Sequence, residues 1–373
     1  MTTRIRKLDP DGDRMEAVRE AALCLADGGV VVFPTETVYG VGADASNPRA
    51  LKRLREVKGR NESKPFTVHV GSRQAVERFV PNLSGLGRRL TEKAWPGPLT
   101  IVFHVDDIAA APVLRETSPQ HAEAIYHDGT VGIRCPDDRV ALDLLTAAGV
   151  PVVASSANPA TLPAPTSAEE VLATLDGKVD LILDTGRTRY AKPSTIIEVR
   201  GDRYTLLREG VMDERTIRRL TQVNFLVVCS GNTCRSPMAE GLLRRLLAEK
   251  LAIPEADLAV RGYNVESAGA SAVAGLSPTP AAVRVLKARG IDISTHQSRP
   301  LLPDMALRAD HVFAMTQGHE ESVLRLCPQA RGRVRMLADH DIEDPIGEGD
   351  QVYAEVAGDI EAALRKRLEE ITL

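Results

Sequence analysis

Cys229 ends an apolar run, Phe225 to Val228, and is followed by Ser230, Gly231, Asn232, Thr233, Cys234, Arg235, Ser236 and Pro237. A strand that hands a cysteine to a loop of small residues, just before a helix opens at Ser236, turns successive backbone N–H groups inward. Such a loop is an anion nest at the positive end of a helix. Arg235 adds a planar fork that matches phosphate oxygens. The thiolate is itself an anion, so the nest favours the nucleophilic form of the cysteine. The pattern predicts a phosphate site with a nucleophile at its base. Zinc ligation is the other chemistry open to Cys229 and Cys234, but their spacing is not C-x2-C and no Cys/His pair answers them.

A second group of polar residues lies in the first half of the chain. Lys58 and Arg60 are two positions apart, so an extended backbone aims both at one face. With Lys64 they offer three cations to a polyphosphate, and Ser156 and Asn158 supply a hydroxyl and an amide beside it. Pro34-Thr35-Glu36-Thr37-Val38-Tyr39-Gly40 follows one strand candidate, and Pro193-Ser194-Thr195 enters another. Taken singly these are ordinary features. A lysine near an arginine is commonly a solvated helix end, and a histidine in an apolar strand, such as His69, is commonly a core residue.

Short β-branched runs alternate with amphipathic stretches, which is the signature of α/β folds. Strands are predicted at 29–33, 66–70, 99–103, 131–134, 150–154, 181–183 and 195–199, with helices at 17–26, 48–58 and 140–147. At 373 residues the chain exceeds one typical domain. The boundary is expected within 210–223, where a charged helix, 213–220, separates the last strand of one unit from the first of the next. Two domains are expected, 1–215 and 222–373.

The cysteine loop, together with Asp344-Pro345-Ile346-Gly347 and Tyr353, resembles the low-molecular-weight protein tyrosine phosphatases from about residue 223 onward. That resemblance implies a Rossmann-like four-stranded parallel sheet and a metal-free reaction. Cys229 would attack phosphorus while Arg235 and the loop amides hold the equatorial oxygens. Asp344 would protonate the leaving group and then activate water. By the same resemblance Ser230, Gly231, Asn232, Thr233, Cys234 and Ser236 would complete the phosphate loop, Asn232 and Ser236 would hold its shape, and Cys234 would be a partner for a reversible disulfide with Cys229. Relatives acting on phosphoarginine resemble this chain in having threonine at 233, and residues 267–273 lack an aromatic wall for phosphotyrosine. A preference for phosphoarginine over phosphotyrosine follows as an expectation. Cys24, Cys135 and Cys327 read as small buried hydrophobes.

The polar clusters of the first half, joined by Trp95-Pro96-Gly97-Pro98-Leu99-Thr100 and Leu207-Arg208-Glu209-Gly210, resemble in their order the YrdC family over residues 8–212. Members of that family act as L-threonylcarbamoyl-AMP synthases. The resemblance implies a twisted mixed α/β sheet and an ATP site of Lys58, Arg60, Ser156, Asn158 and Arg208. It places Thr35, Tyr39, Lys64, His69, Arg134 and Ser194 around L-threonine and the carbamate, with Arg134 pairing the amino-acid carboxylate. The reaction is a nucleotidyl transfer from L-threonine, bicarbonate and ATP, with Mg²⁺ as helper, no metal ligands from the protein and no protein nucleophile. The product would reach tRNA only through other proteins. Lys192-Pro193 stands where relatives have glycine-glutamate. Longer relatives carry a different C-terminal domain, which the phosphatase-like unit replaces here.

Residues 1–220 hold 30 basic and 30 acidic side chains, and 221–373 hold 17 and 21. Neither half has the basic excess of a direct nucleic-acid binder. The polar opening segment does not read as a secretory leader, so none is expected, and no apolar run reaches membrane-span length. An odd count of five cysteines at irregular spacing suits a reducing cytoplasm. The expectation is a bifunctional α/β enzyme. The alternative is a phosphatase gated by a degenerate nucleotide- or RNA-binding first half.

Overall fold

The computed structural model describes residues 2–9, 13–59, 65–117, 122–371 and 373. The chain divides into two compact units, Met1–Thr221 and Gln222–Leu373. Among the described residues no helix is long and apolar enough to cross a membrane.

In the first unit ten described strands form one sheet: β1 (Arg4–Lys7), β2 (Val31–Phe33), β3 (Gly40–Asp44), β4 (Thr67–His69), β5 (Leu99–His104), β6 (Thr130–Arg134), β7 (Val152–Ser156), β8 (Leu181–Asp184), β9 (Thr195–Arg200) and β10 (Arg203–Arg208). Their spatial order is β1-β8-β2-β3-β7-β4-β6-β5-β9-β10. Parallel pairs (β4 with β6, β5 with β9) occur together with antiparallel ones (β3 with β7, β5 with β6), so the sheet is mixed. Both faces are covered. Val31, Phe33, Leu181 and Leu183 pack under the helices Met15–Ala26 and Arg139–Ala147, while Val30, Val32 and Ile182 enter the opposite core. This is why residues 181–183 read as a continuous apolar run rather than an alternating one.

Every predicted strand of the first half is found with shifted ends. β1, β3 and β10 were not predicted. β3 reads Gly-Val-Gly-Ala-Asp, and glycine is a poor strand former. It is required here because the Phe33 ring lies across the strand: a Cβ at Gly40 or Gly42 would stand 3.3 or 3.0 Å from that ring. The charged helix, Glu214–Thr221, stays with the first unit, where Ile217 is fully buried in its core.

The second unit is a four-stranded parallel sheet of β11 (Val223–Cys229), β12 (Tyr263–Gly269), β13 (His311–Ala314) and β14 (Val334–Met336), ordered β12-β11-β13-β14. Alternation along β11 sends Phe225, Val227 and Cys229 to one core and Leu226 and Val228 to the other. The cysteine side chain thus emerges at the carboxyl end of a central strand, where open α/β sheets place their ligands.

Candidate active sites

β11 delivers Cys229 into the loop, and the helix Arg235–Leu251 starts directly after Cys234. The sulfur is nearly buried, at 3% exposure. It accepts the Asn232 N–H at 3.2 Å and stands 3.0 Å from Ser236 Oγ. Asn232 adopts a left-handed backbone, φ 55°, which turns its N–H inward. Its side chain fixes that turn: Nδ2 donates to Ser236 Oγ at 2.8 Å and to Ser267 Oγ at 2.9 Å, and Oδ1 accepts from Arg299 N at 2.9 Å. Ser267 in turn donates to Glu240 at 2.7 Å, and His296 Nε2 is 3.1 Å from Asn232 O. Gly269 must be glycine, since a Cβ there would lie 2.5 Å from Ser230 O.

Arg235, 4% exposed, donates to Ile342 O at 2.9 Å and pairs with the Asp344 carboxylate. The two polar groups that sequence places 109 residues apart are therefore in direct contact. Ser230 Oγ lies 3.4 Å from Arg235 Nη2 and 2.8 Å from His319 Nε2; His319 Nδ1 lies 2.8 Å from Thr316 Oγ1. Burial, with the Arg235 charge, pushes the His319 imidazole below its ordinary value. Thr233 Oγ1 and Tyr353 OH each stand 3.6 Å from Cys234 Sγ, and burial pushes the Tyr353 phenol up to about 12. Tyr353 is a floor residue, 2% exposed. All five cysteines are unpaired, and Cys24 is only half-buried rather than buried as expected.

In the first unit a cleft of about 350 Å³ opens where β3, β7, β4, β6 and β5 carry their polar ends. Thr35, Tyr39, His69, Arg134, Ser156, Asn158, Ser194 and Arg208 all line it, although they come from positions spread over most of the unit. Arg208 Nη2 donates to Ser194 O at 2.7 Å, and Ser194 Oγ meets Thr100 Oγ1 at 2.9 Å. Burial and the neighbouring Arg134 hold the Arg208 guanidinium below its usual value. Burial and Arg134 likewise push His69 down to about 3, which keeps it neutral; its Nδ1 is 3.0 Å from Thr67 O.

Three expectations change. Lys58 is not on an extended segment: it is the last residue of the helix Pro48–Lys58, which Gly59 ends in a left-handed C-cap. Only 1% exposed, its Nζ is turned onto Ser156 O, Asn158 O and Asn158 Oδ1, so it braces the Ser156–Asn158 turn from beneath. Arg60 and Lys64 lie outside the described residues. The Tyr39 hydroxyl donates to Gly186 O at 2.7 Å and accepts from Thr185 N at 3.1 Å, so it anchors the 184–186 segment; burial pushes it up to about 12. Arg134 already holds a carboxylate of the chain itself, Glu36, at 2.9 Å, and donates to Thr37 Oγ1 at 2.6 Å.

Sequence reasoning passed over Glu36, Thr37 and Thr100, which sit inside the quoted motifs, and Ser267, His296 and His319, which carry no local signal. Adjacency to Thr35 was the one available cue for the first two.

The model of the Sua5, YciO and YrdC proteins, described as "Telomere recombination", matches residues 24–210, and that of the low molecular weight phosphotyrosine protein phosphatases matches 224–372. The chain is 36% identical over 200 residues to a threonylcarbamoyl-AMP synthase of Bacillus subtilis, covering 54% of this chain and 55% of that one. It is 34% identical over 229 residues to a threonylcarbamoyl-AMP synthase of Pyrococcus abyssi, covering 61% and 64%. It thus spans less than two thirds of the length of each of these relatives. A solved double mutant of P. abyssi Sua5 shares the fold, with a TM-score of 0.51 at 24% identity over 90% of this chain and 98% of that one. With one model spanning half its length and a second spanning most of the rest, the chain belongs to the Sua5–YciO–YrdC family and continues into a low-molecular-weight phosphotyrosine protein phosphatase unit.

Proposed function

We propose that residues 1–215 form L-threonylcarbamoyl-AMP from L-threonine, bicarbonate and ATP, and that residues 222–373 hydrolyse phosphoprotein through Cys229. The observation that carries the first assignment is the convergence of eight polar-motif residues on one cleft. The threonine amine forms a carbamate with bicarbonate, with loss of water. A carbamate oxygen then attacks the α-phosphorus, and the bond to pyrophosphate breaks. Arg134 takes the amino-acid carboxylate, and Ser156, Asn158 and Arg208 take the phosphates and ribose. Lys58 acts by holding the Ser156–Asn158 turn. Mg²⁺ enters on the triphosphate and screens its charge. The adenylate is the kind of activated carbamate that a separate transferase would pass to tRNA.

In the second unit the thiolate of Cys229 attacks phosphorus, Asp344 gives its proton to the leaving atom, and water then cleaves the S–P bond. Phosphoarginine is the favoured substrate. Thr233 offers a hydroxyl within the loop, and residues 267–273 carry no ring for phosphotyrosine to stack on. Unpaired cysteines in both units suit a reducing cytoplasm. Turnover of matched phosphoarginine and phosphotyrosine peptides tests the preference. Thr233→Ile should lower the ratio toward phosphotyrosine, and a wild-type ratio favouring phosphotyrosine would overturn it.

A further inference from the structure

Glu36 is the least accounted-for charge in the first unit. Its side chain is fully buried, yet neither carboxylate oxygen has a hydrogen-bond partner among the described residues; it forms an ion pair with Arg134 Nη2 at 2.9 Å. A buried carboxylate without hydrogen bonds is costly. Two threonine hydroxyls, Thr37 at 2.6 Å and Thr35 at 3.5 Å, already orient the same Nη2, so orientation alone does not require an anion. What Glu36 adds is charge. It offsets the charge of Arg134, beside which His69 is neutral and Arg208 adds a second guanidinium. Meanwhile Arg134 Nε stays buried with no hydrogen-bond partner in a side chain that lines the cleft.

We propose that Glu36 is a specificity-determining residue of the Arg134 site: its negative charge makes the site accept a zwitterionic α-amino acid and reject the corresponding plain carboxylate. A carboxylate bound to Arg134 lies within a few ångströms of Glu36, where two like charges repel strongly in a partly dry cleft. An amino acid brings an ammonium group that offsets this repulsion, whereas an α-hydroxy acid brings none. This rests on the reading of the cleft as an amino-acid site, and it adds the basis on which that site discriminates.

The test is calorimetric titration of the full chain, wild type and Glu36→Gln, with L-threonine and with its α-hydroxy analogue, 2,3-dihydroxybutyrate. Binding is read directly, so the result does not depend on turnover. Glu36→Gln keeps the side-chain shape and an acceptor for Arg134. The ratio of hydroxy-acid to threonine affinity should rise roughly tenfold or more, the range of one charge interaction in such a site. Glu36→Asp, which keeps the charge, should hold the ratio near wild type. An unchanged ratio in a Glu36→Gln protein that still binds threonine would overturn the proposal. A wild-type protein that binds neither ligand would instead overturn the amino-acid reading of the cleft.

Discussion

Ser236 Oγ stands 3.0 Å from Cys229 Sγ while it accepts a hydrogen bond from Asn232 Nδ2 at 2.8 Å. The Asn232 amide fills one acceptor position of the serine, which leaves the serine proton free to be donated to the sulfur.

Ser236→Ala should therefore slow phosphatase turnover by roughly ten- to hundredfold, the value of one hydrogen bond to a charged group, without unfolding the unit. Steady-state kinetics on a phosphopeptide check this. Retention of the full rate would show that the serine does not serve the nucleophile.

Lys58 gives a different kind of expectation. Lys58→Met keeps the buried stem but leaves the carbonyls of Ser156 and Asn158 without their ammonium donor. The first unit should lose about 2 kcal/mol or more, read from its denaturant midpoint, and adenylate formation should fall with it. Lost synthesis at unchanged stability would favour a direct phosphate contact over a brace.

Acid should weaken the first unit through His69. Its folded value is near 3 because of burial and Arg134, against the ordinary 6.5 of the unfolded chain. Between those values the unfolded state binds more protons, so stability rises with pH across the window and is lost as pH falls below 6.5. At pH 5 the loss from this group is about 2 kcal/mol relative to pH 7. Denaturant titrations at the two pH values should show it, and His69→Asn should flatten the dependence.

The two sites were legible to different degrees for a physical reason. The phosphate loop is contiguous, so residue types and spacing over 229–236 already specify nest, fork and nucleophile. The cleft is assembled from strands far apart in sequence, and there motifs named the residues but not their directions. The helix ending at Lys58 was legible in the sequence, but not that its ammonium turns back onto the Ser156–Asn158 carbonyls. Tyr39 turns its hydroxyl to Gly186, and His319 reaches Ser230 across 89 positions; no local pattern encodes either contact. β3 was missed because its glycines answer to the Phe33 ring, a tertiary demand rather than a propensity.

The account stands on two separate chemistries in one chain. Its most direct test is pyrophosphate release from ATP and bicarbonate, with and without L-threonine, by the wild-type protein and by Cys229→Ser. The expected result is threonine-dependent release with an adenylate product at near-equal rates in both proteins, while phosphopeptide hydrolysis vanishes in the variant. No threonine-dependent release in the wild type, or its loss together with phosphatase activity in Cys229→Ser, would contradict the account.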